Sequence, residues 1–172
     1  MKLRSSESTV LSLEQLGACP GFPKEQAFER GPVAVIECVE EIPCNPCEAA
    51  CRFGAIRVGE RITALPRLIT ENCRGCRQCI SACPGLAIFV VDTTYSESEA
   101  CVSMPYEFLP IPKVGEIVVA LDREGEPVCE GRVVRVEDRA RNDFCRVVSV
   151  VVPKSYANVV RGLSTNWKQE RR

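Results

Sequence analysis

The chain of 172 residues contains no histidine, and aromatic residues make up only 6% of it. A Rieske-type centre needs two histidine ligands and is therefore excluded. Most catalytic zinc sites and histidine-based acid–base chemistry are excluded for the same reason. The sequence also lacks an apolar run of about 18 residues, and its first residues lack the apolar stretch of a secretory signal. We therefore expect no transmembrane segment and a cytoplasmic location.

An excess of charge of either sign is missing as well. Lysine and arginine number 22, aspartate and glutamate number 23, and the formal net charge is −1. A nucleic-acid-binding surface would require a basic stripe, so nucleic acid is not expected as a partner. Hydrophobic residues form 45% of the chain, which is enough for a buried core.

Cysteine is the abundant residue, with 12 in the chain. In a reducing compartment, so many thiols indicate metal binding rather than disulfides. The segment from Cys73 to Pro84 has the spacing C-x2-C-x2-C-x3-C-P, with its other thiols at Cys76, Cys79 and Cys83. This spacing is typical of iron–sulfur cluster binding.

The motif has a counterpart upstream. A shift of 32 residues aligns Cys44 with Cys76, and it aligns two further cysteines and three aliphatic residues: Cys47 with Cys79, Cys51 with Cys83, Ala55 with Ala87, Ile56 with Ile88 and Val58 with Val90. The repeat predicts two halves related by a pseudo-twofold axis.

On these motifs, residues 33–92 resemble a bacterial-type ferredoxin domain with two [4Fe–4S] clusters. The resemblance implies crossed ligation, in which the fourth cysteine of each motif binds the cluster of the other motif. The implied ligands of cluster I are Cys38, Cys44, Cys47 and Cys83. Those of cluster II are Cys51, Cys73, Cys76 and Cys79.

The upstream motif departs from the ferredoxin pattern at two points. The residue that aligns with Cys73 is Glu41, and the nearest upstream thiol is Cys38. Three extra residues in a loop cost little closure entropy, so Cys38 can still reach the cluster. A three-iron cluster or a non-cysteine ligand is the alternative. Cys51 is followed by Arg52 rather than proline.

An all-cysteine zinc site is another alternative, formed by Cys44 and Cys47 with Cys76 and Cys79. The gap between these pairs exceeds the usual zinc-ribbon spacing. The zinc model also gives no role to Cys51, Cys73 and Cys83.

Four cysteines lie outside the motifs: Cys19, Cys101, Cys129 and Cys145. None has a partner at ligand spacing. We expect them to be small buried side chains, as free cysteines commonly are; extra ligands or a redox switch are the alternatives.

The chain is predicted to be an α+β protein in five segments. Residues 1–32 form an N-terminal extension with short helices, 33–92 the ferredoxin domain, and 93–104 a polar linker. Valine-rich runs over 115–121, 128–136 and 145–152 predict strands. We expect residues 105–163, with a helix over 155–163, to form a small SH3-like β-barrel, and 164–172 to form a polar tail.

Residues 31–48, which include the first three cysteines of the upstream motif, and residues 102–110 resemble the small ferredoxin-like subunits of multisubunit FAD-dependent dehydrogenases. These complexes oxidise amino acids or amines such as proline, hydroxyproline, sarcosine or opines. The resemblance implies an electron-transfer subunit without a catalytic site of its own, in a hetero-oligomer whose partner subunits hold FAD or FMN. An independent ferredoxin-type carrier with accessory modules is the alternative.

Overall fold

The computed structural model of the chain describes residues 10–138 and 145–166. The first half alternates short helices and strands: α1 (Leu13–Gly17), α2 (Glu25–Phe28), β1 (Val33–Ile36), α3 (Pro46–Ala50), β2 (Ile56–Arg57), β3 (Arg67–Leu68), a 3₁₀ turn (Thr70–Asn72), α4 (Gln78–Ala82) and β4 (Ile88–Asp92). The second half is mainly strand: β5 (Glu99–Tyr106), β6 (Ile117–Leu121), β7 (Pro127–Glu137), β8 (Arg146–Pro153), a 3₁₀ turn (Lys154–Tyr156) and β9 (Gly162–Leu163). Within these ranges, no helix has both the length and the apolar character needed to cross a membrane.

Seven strands form one antiparallel sheet in the order β1-β4-β5-β8-β7-β6-β9. Strands β2 and β3 pair separately. The order strand, cysteine-bearing segment, helix, strand occurs twice, once from β1 through α3 to β2 and once from β3 through α4 to β4. The fold is therefore α+β with mostly antiparallel strands, as the sequence predicted.

Both faces of β1 and β4 are buried. In β1, Val33 and Val35 pack into one core, which includes most of the buried side chains of β5 to β8. Ala34 and Ile36 point the other way and pack into a second core, which includes Ile80 of α4. Successive residues of a strand point to opposite faces. One face of β1 and β4 therefore packs into the core shared with β5 to β8, and the other face packs against the cysteine-bearing helices α3 and α4.

The predicted linker over 93–104 does not match the described secondary structure. Strand β5 begins at Glu99 and pairs with β4 on one side and with β8 on the other. Its residues Ala100, Val102 and Met104 are fully buried. The alternation of buried and less buried residues from 99 to 102 is the pattern of a strand.

No closed barrel forms among the described strands, contrary to the expectation for residues 105–163. Strands β6 to β9 instead extend the sheet of β1, β4 and β5, because β8 pairs with β5 over eight residues. The SH3-like arrangement is therefore replaced by a shared open sheet in the described ranges.

The helix predicted over 155–163 is also wrong. A 3₁₀ turn covers Lys154–Tyr156, and Gly162–Leu163 forms β9 beside β6. The Arg161 amide donates to the Leu121 carbonyl at 2.8 Å, which leads the chain into this edge strand. Of the predicted tail, residues 167–172 lie outside the described ranges, as do residues 1–9 of the N-terminal extension.

Candidate metal centre

Four of the predicted ligand cysteines line one cavity, here called cavity I: Cys38, Cys44, Cys47 and Cys83. Cys47 lies on α3, whereas Cys83 follows α4 and belongs to the other half of the repeat. Apolar side chains such as Ile36 and Ile88 complete most of the wall. Glu41, which aligns with Cys73 in sequence, does not line cavity I and faces a different cleft.

The other four predicted ligands line a second cavity, here called cavity II: Cys51, Cys73, Cys76 and Cys79. Cys79 lies on α4, and Cys51 follows α3. Including their open mouths, the two cavities enclose about 340 Å³ and 380 Å³. This similarity in size suits two copies of the same group.

The four thiols of each cavity line an open volume and do not converge on a single point. Across the described residues, no three or more cysteine, aspartate or glutamate side chains stand close enough to hold a single metal ion. A single zinc ion would need its sulfur ligands at about 2.3 Å. A cubane instead places each thiolate on a different iron atom, and an all-sulfur donor set in an apolar cavity suits such a group.

Backbone amides donate to two of the sulfur atoms of cavity II. The Ala34 amide lies 3.4 Å from the Cys73 sulfur, and the Ala55 amide lies 3.2 Å from the Cys51 sulfur. Hydrogen bonds to sulfur stabilise negative charge and are one determinant of a cluster's reduction potential. The amides of β1 and of the loop after α3 therefore contribute to the electrostatic surroundings of these thiols.

The pKa of several cavity thiols is raised. For Cys47 the cause is burial, followed by the nearby Cys83 thiol, and the pKa is about 11. Burial also raises the pKa of Cys79 well above its usual range, and neighbouring thiols add to the effect. Metal binding requires thiolates, so a metal group that binds at Cys47 and Cys79 must displace the protons that this burial favours.

The loop of cavity II is tightly packed at Gly75. This residue has a φ of +57°, and a Cβ atom there would lie 2.7 Å from the Pro32 carbonyl oxygen. Only glycine meets both requirements without strain. Gly75 therefore positions Cys73 and Cys76 against the residues that lead into β1.

A buried ion-pair cluster holds the backbone beside cavity I. The Glu37 carboxylate, next to Cys38, accepts hydrogen bonds from Arg161 Nε at 2.7 Å and from Arg123 Nε at 2.9 Å. Burial would raise the pKa of Glu37, but the hydrogen bond from Arg123 and the charge of Arg161 outweigh it and lower the pKa. Arg161 also lies over the Phe89 ring, 4.9 Å from its centre.

The ion pairs of Glu37 join opposite ends of the sheet. Glu37 follows β1, which is at one end of the strand order, whereas Arg123 follows β6 and Arg161 precedes β9 at the other end. The sheet must curl for these side chains to meet. Ion pairs, rather than backbone hydrogen bonds between strands, connect its two ends.

A second ion pair links the loop of cavity II to strand β7. Arg77 lies between Cys76 and Cys79 in sequence, and its Nε donates to Glu137 of β7 at 2.8 Å. Both cysteine loops are thus tied to the C-terminal strands. No local sequence pattern predicts these ion pairs; the one signal is a carboxylate, Glu37, directly after the wholly apolar strand β1.

The four remaining cysteines line neither cavity. Cys145 is buried, and burial raises the pKa of its thiol to about 11. The expectation that all four are buried is wrong for Cys19, Cys101 and Cys129, which are partly exposed.

Residues 66–89 match a protein-family model described as a 4Fe-4S binding domain. The matched segment includes four of the cavity thiols: Cys73, Cys76, Cys79 and Cys83. The match supports an iron–sulfur ferredoxin-type domain in this segment and a role in electron transfer. Searches of curated proteins and of solved structures found no match to the chain.

Proposed function

We propose that this chain is an electron-transfer subunit that holds two [4Fe–4S] clusters. Cluster I would occupy cavity I, and cluster II would occupy cavity II. The observation that carries the proposal is that four thiols line each cavity, and that one thiol of each set comes from the other half of the repeat. The 4Fe-4S family match covers the second motif and supports the same conclusion.

The bound clusters would supply one-electron transfer, and the chain would position them and exclude water from them. Cys47 and Cys51 lie four positions apart at the two ends of α3 but line different cavities. Four residues of α-helix rise about 6 Å along the axis. This short connection favours rapid transfer between the two clusters.

We further propose that the electrons come from a partner subunit that contains FAD and oxidises amino acids or amines. Besides the resemblance of residues 31–48 and 102–110, an exposed apolar loop supports a permanent partner. Phe108, Leu109 and Val114 are 59%, 75% and 64% exposed. The loop joins β5 to β6, in the part of the chain that a simple ferredoxin does not need.

Metal content tests the two-cluster proposal directly. Protein purified without air should contain about eight iron and eight sulfide ions per chain, the content of two cubanes. About four of each would contradict the assignment of cavity I. Zinc without sulfide would contradict the entire iron–sulfur proposal.

Co-purification tests the partner proposal. The native protein should remain with an FAD-containing subunit through several columns, and the double substitution Phe108→Ser with Leu109→Ser should release it without changing iron content. Tyr95→Ser, at a residue of 43% exposure elsewhere on the surface, is the control. Purification of the native chain as a free monomer with both clusters would instead support the independent ferredoxin.

A further inference from the structure

The mouths of the two cavities differ in charge. The charged side chain that lines cavity I is Glu40, and Glu41 beside it is also exposed. Cavity II is lined by two arginines, Arg74 and Arg77, and by no acidic residue. Because the chain as a whole carries a net charge of −1, this difference is a local separation of charge and does not reflect a generally basic protein.

The basic mouth of cavity II also carries an exposed aromatic ring. Phe53 lines the cavity and is 39% exposed, and the Arg52 guanidinium lies 5.0 Å from the centre of its ring. Arg74 is exposed at the same mouth. We call Arg52, Phe53 and Arg74 the arginine patch.

Among the described residues, no carboxylate neutralises the positive charge of the arginine patch, although the Arg52 guanidinium lies over the Phe53 ring. Neither Arg52 nor Arg74 forms an ion pair with any carboxylate of the residues that the structure describes. Arg77 differs, because its pairing with Glu137 fixes its position and offsets its charge. The two exposed arginines thus remain available to an external anionic surface.

A protein surface is the occupant that fits these features. Complementary charges accelerate the encounter of two proteins, and aromatic and arginine side chains are enriched at the centres of protein interfaces. Two exposed arginines at one cavity mouth form too small a positive surface for nucleic acid, which needs an extended basic stripe. The patch also borders the cavity from which an electron would have to pass.

We propose that the arginine patch is the docking surface for a redox protein with an acidic face, which exchanges electrons with cluster II. This inference rests on the proposed two-cluster function. In the exchange, one electron passes between cluster II and the redox group of the partner, so that one is oxidised as the other is reduced, and no bond is formed or broken. The acidic mouth of cavity I would repel the same partner, so the two ends of the chain would serve different proteins.

An acidic flavodoxin is a suitable probe. After its flavin is reduced, it is mixed with the oxidised full-length protein in a stopped-flow instrument without air, and cluster reduction is followed by absorbance. The variant Arg52→Glu with Arg74→Glu should react about tenfold or more slowly at low ionic strength. Added salt should slow the wild-type protein and should have little effect on the variant.

The matched control is Arg61→Glu with Arg67→Glu. Both residues are exposed and line a different cleft, and the change in net charge is the same. The control should retain the wild-type rate within about twofold. Equal slowing of both variants, or a wild-type rate that does not respond to salt, would overturn the docking proposal.

Iron and sulfide content is measured on every sample, so that the two proposals can fail separately. A wild-type protein without two clusters would contradict the proposed function. Fully loaded proteins with equal rates would contradict only the docking surface. If the charge-reversal variant fails to load its clusters, Arg52→Gln with Arg74→Gln replaces it, and this milder variant must also show a slower and less salt-dependent reaction.

Discussion

Cys51 and Cys83 each follow one cysteine-bearing helix but line the cavity of the other half. Spacing alone indicated which thiols belong to each motif, because ligand spacing in a short loop is a local property. The surroundings of the thiols could not be predicted in this way. Glu37 contacts Arg161, which lies 124 positions later in the sequence, and no local pattern encodes such a contact.

The exchange of thiols between halves leads to a test at single residues. Cys83→Ala should remove cluster I, although Cys83 belongs to the second motif, and its electron paramagnetic resonance spectrum should match that of Cys44→Ala. Cys51→Ala should match Cys76→Ala for the same reason. Cys129→Ser, which lines neither cavity, should retain both clusters. A Cys83→Ala spectrum that matches Cys76→Ala would disprove crossed ligation.

Gly75 offers a second test at residue scale. Gly75→Ala would force a side chain to within 2.7 Å of the Pro32 carbonyl oxygen at a positive φ, and overpacking of this kind costs about 1–3 kcal/mol. We expect the variant to lose part of the iron and of the paramagnetic signal of cluster II and to retain those of cluster I. Gly85→Ala is the control, since its Cβ would have no neighbour within 4 Å. Equal cluster content in the two variants would refute the role of Gly75.

At the scale of elements, strands β6, β7 and β8 could be predicted from sequence, because each is a β-branched run bounded by turn residues. Strand β5 was missed. The polar residues that precede it suggested a linker, and its buried Ser103 finds a partner only in the hydroxyl of Ser149 on β8, at 2.8 Å. Strand β9 was missed because two residues form a strand only when a neighbouring edge, here β6, is present.

The ion pairs between the ends of the sheet give an element-scale prediction. Glu37→Gln leaves the charge of Arg161 buried, with a side chain only 3% exposed, and removal of one partner from a buried pair costs about 3–5 kcal/mol. The apparent midpoint of thermal unfolding should therefore fall by about 6 °C or more. Circular dichroism of the cluster-loaded protein provides the measurement.

Glu99→Gln is the matched control for that experiment. Glu99 pairs with Arg132 at 3.9 Å, and both side chains are more than 40% exposed. Exposed pairs contribute about 0–1 kcal/mol, so the midpoint should hardly move. A similar fall of the unfolding midpoint in both variants would show that the buried ion pairs of Glu37 contribute no more to stability than an exposed pair does.

At the scale of the whole molecule, the acidic mouth of cavity I and the basic mouth of cavity II should separate the two clusters in potential. A cluster gains a negative charge on reduction, so nearby glutamate disfavours reduction and nearby arginine favours it. Electrons entering at cluster I would then move toward cluster II. The two ends are distinguished by a few side chains on otherwise similar halves.

Removal of single charges tests this polarity. Glu40→Gln should raise the potential of cluster I, and Arg74→Gln should lower that of cluster II, each on the order of tens of millivolts at low salt. Redox titration followed by paramagnetic resonance measures both values. Glu60→Gln and Arg67→Gln, which line neither cavity, should leave both potentials nearly unchanged. Shifts of the opposite sign would reverse the proposed direction of flow.

The contact between Glu37 and Arg161 also constrains the order of events during synthesis. The ribosome makes Glu37 and the first cysteine loop early, but Arg161 emerges only 124 residues later. Until then the two ends of the sheet cannot be joined, and β5 also lacks its neighbour β8. The ion pairs that hold the backbone beside cavity I therefore form late in translation, after every residue that lines the cavity has been made.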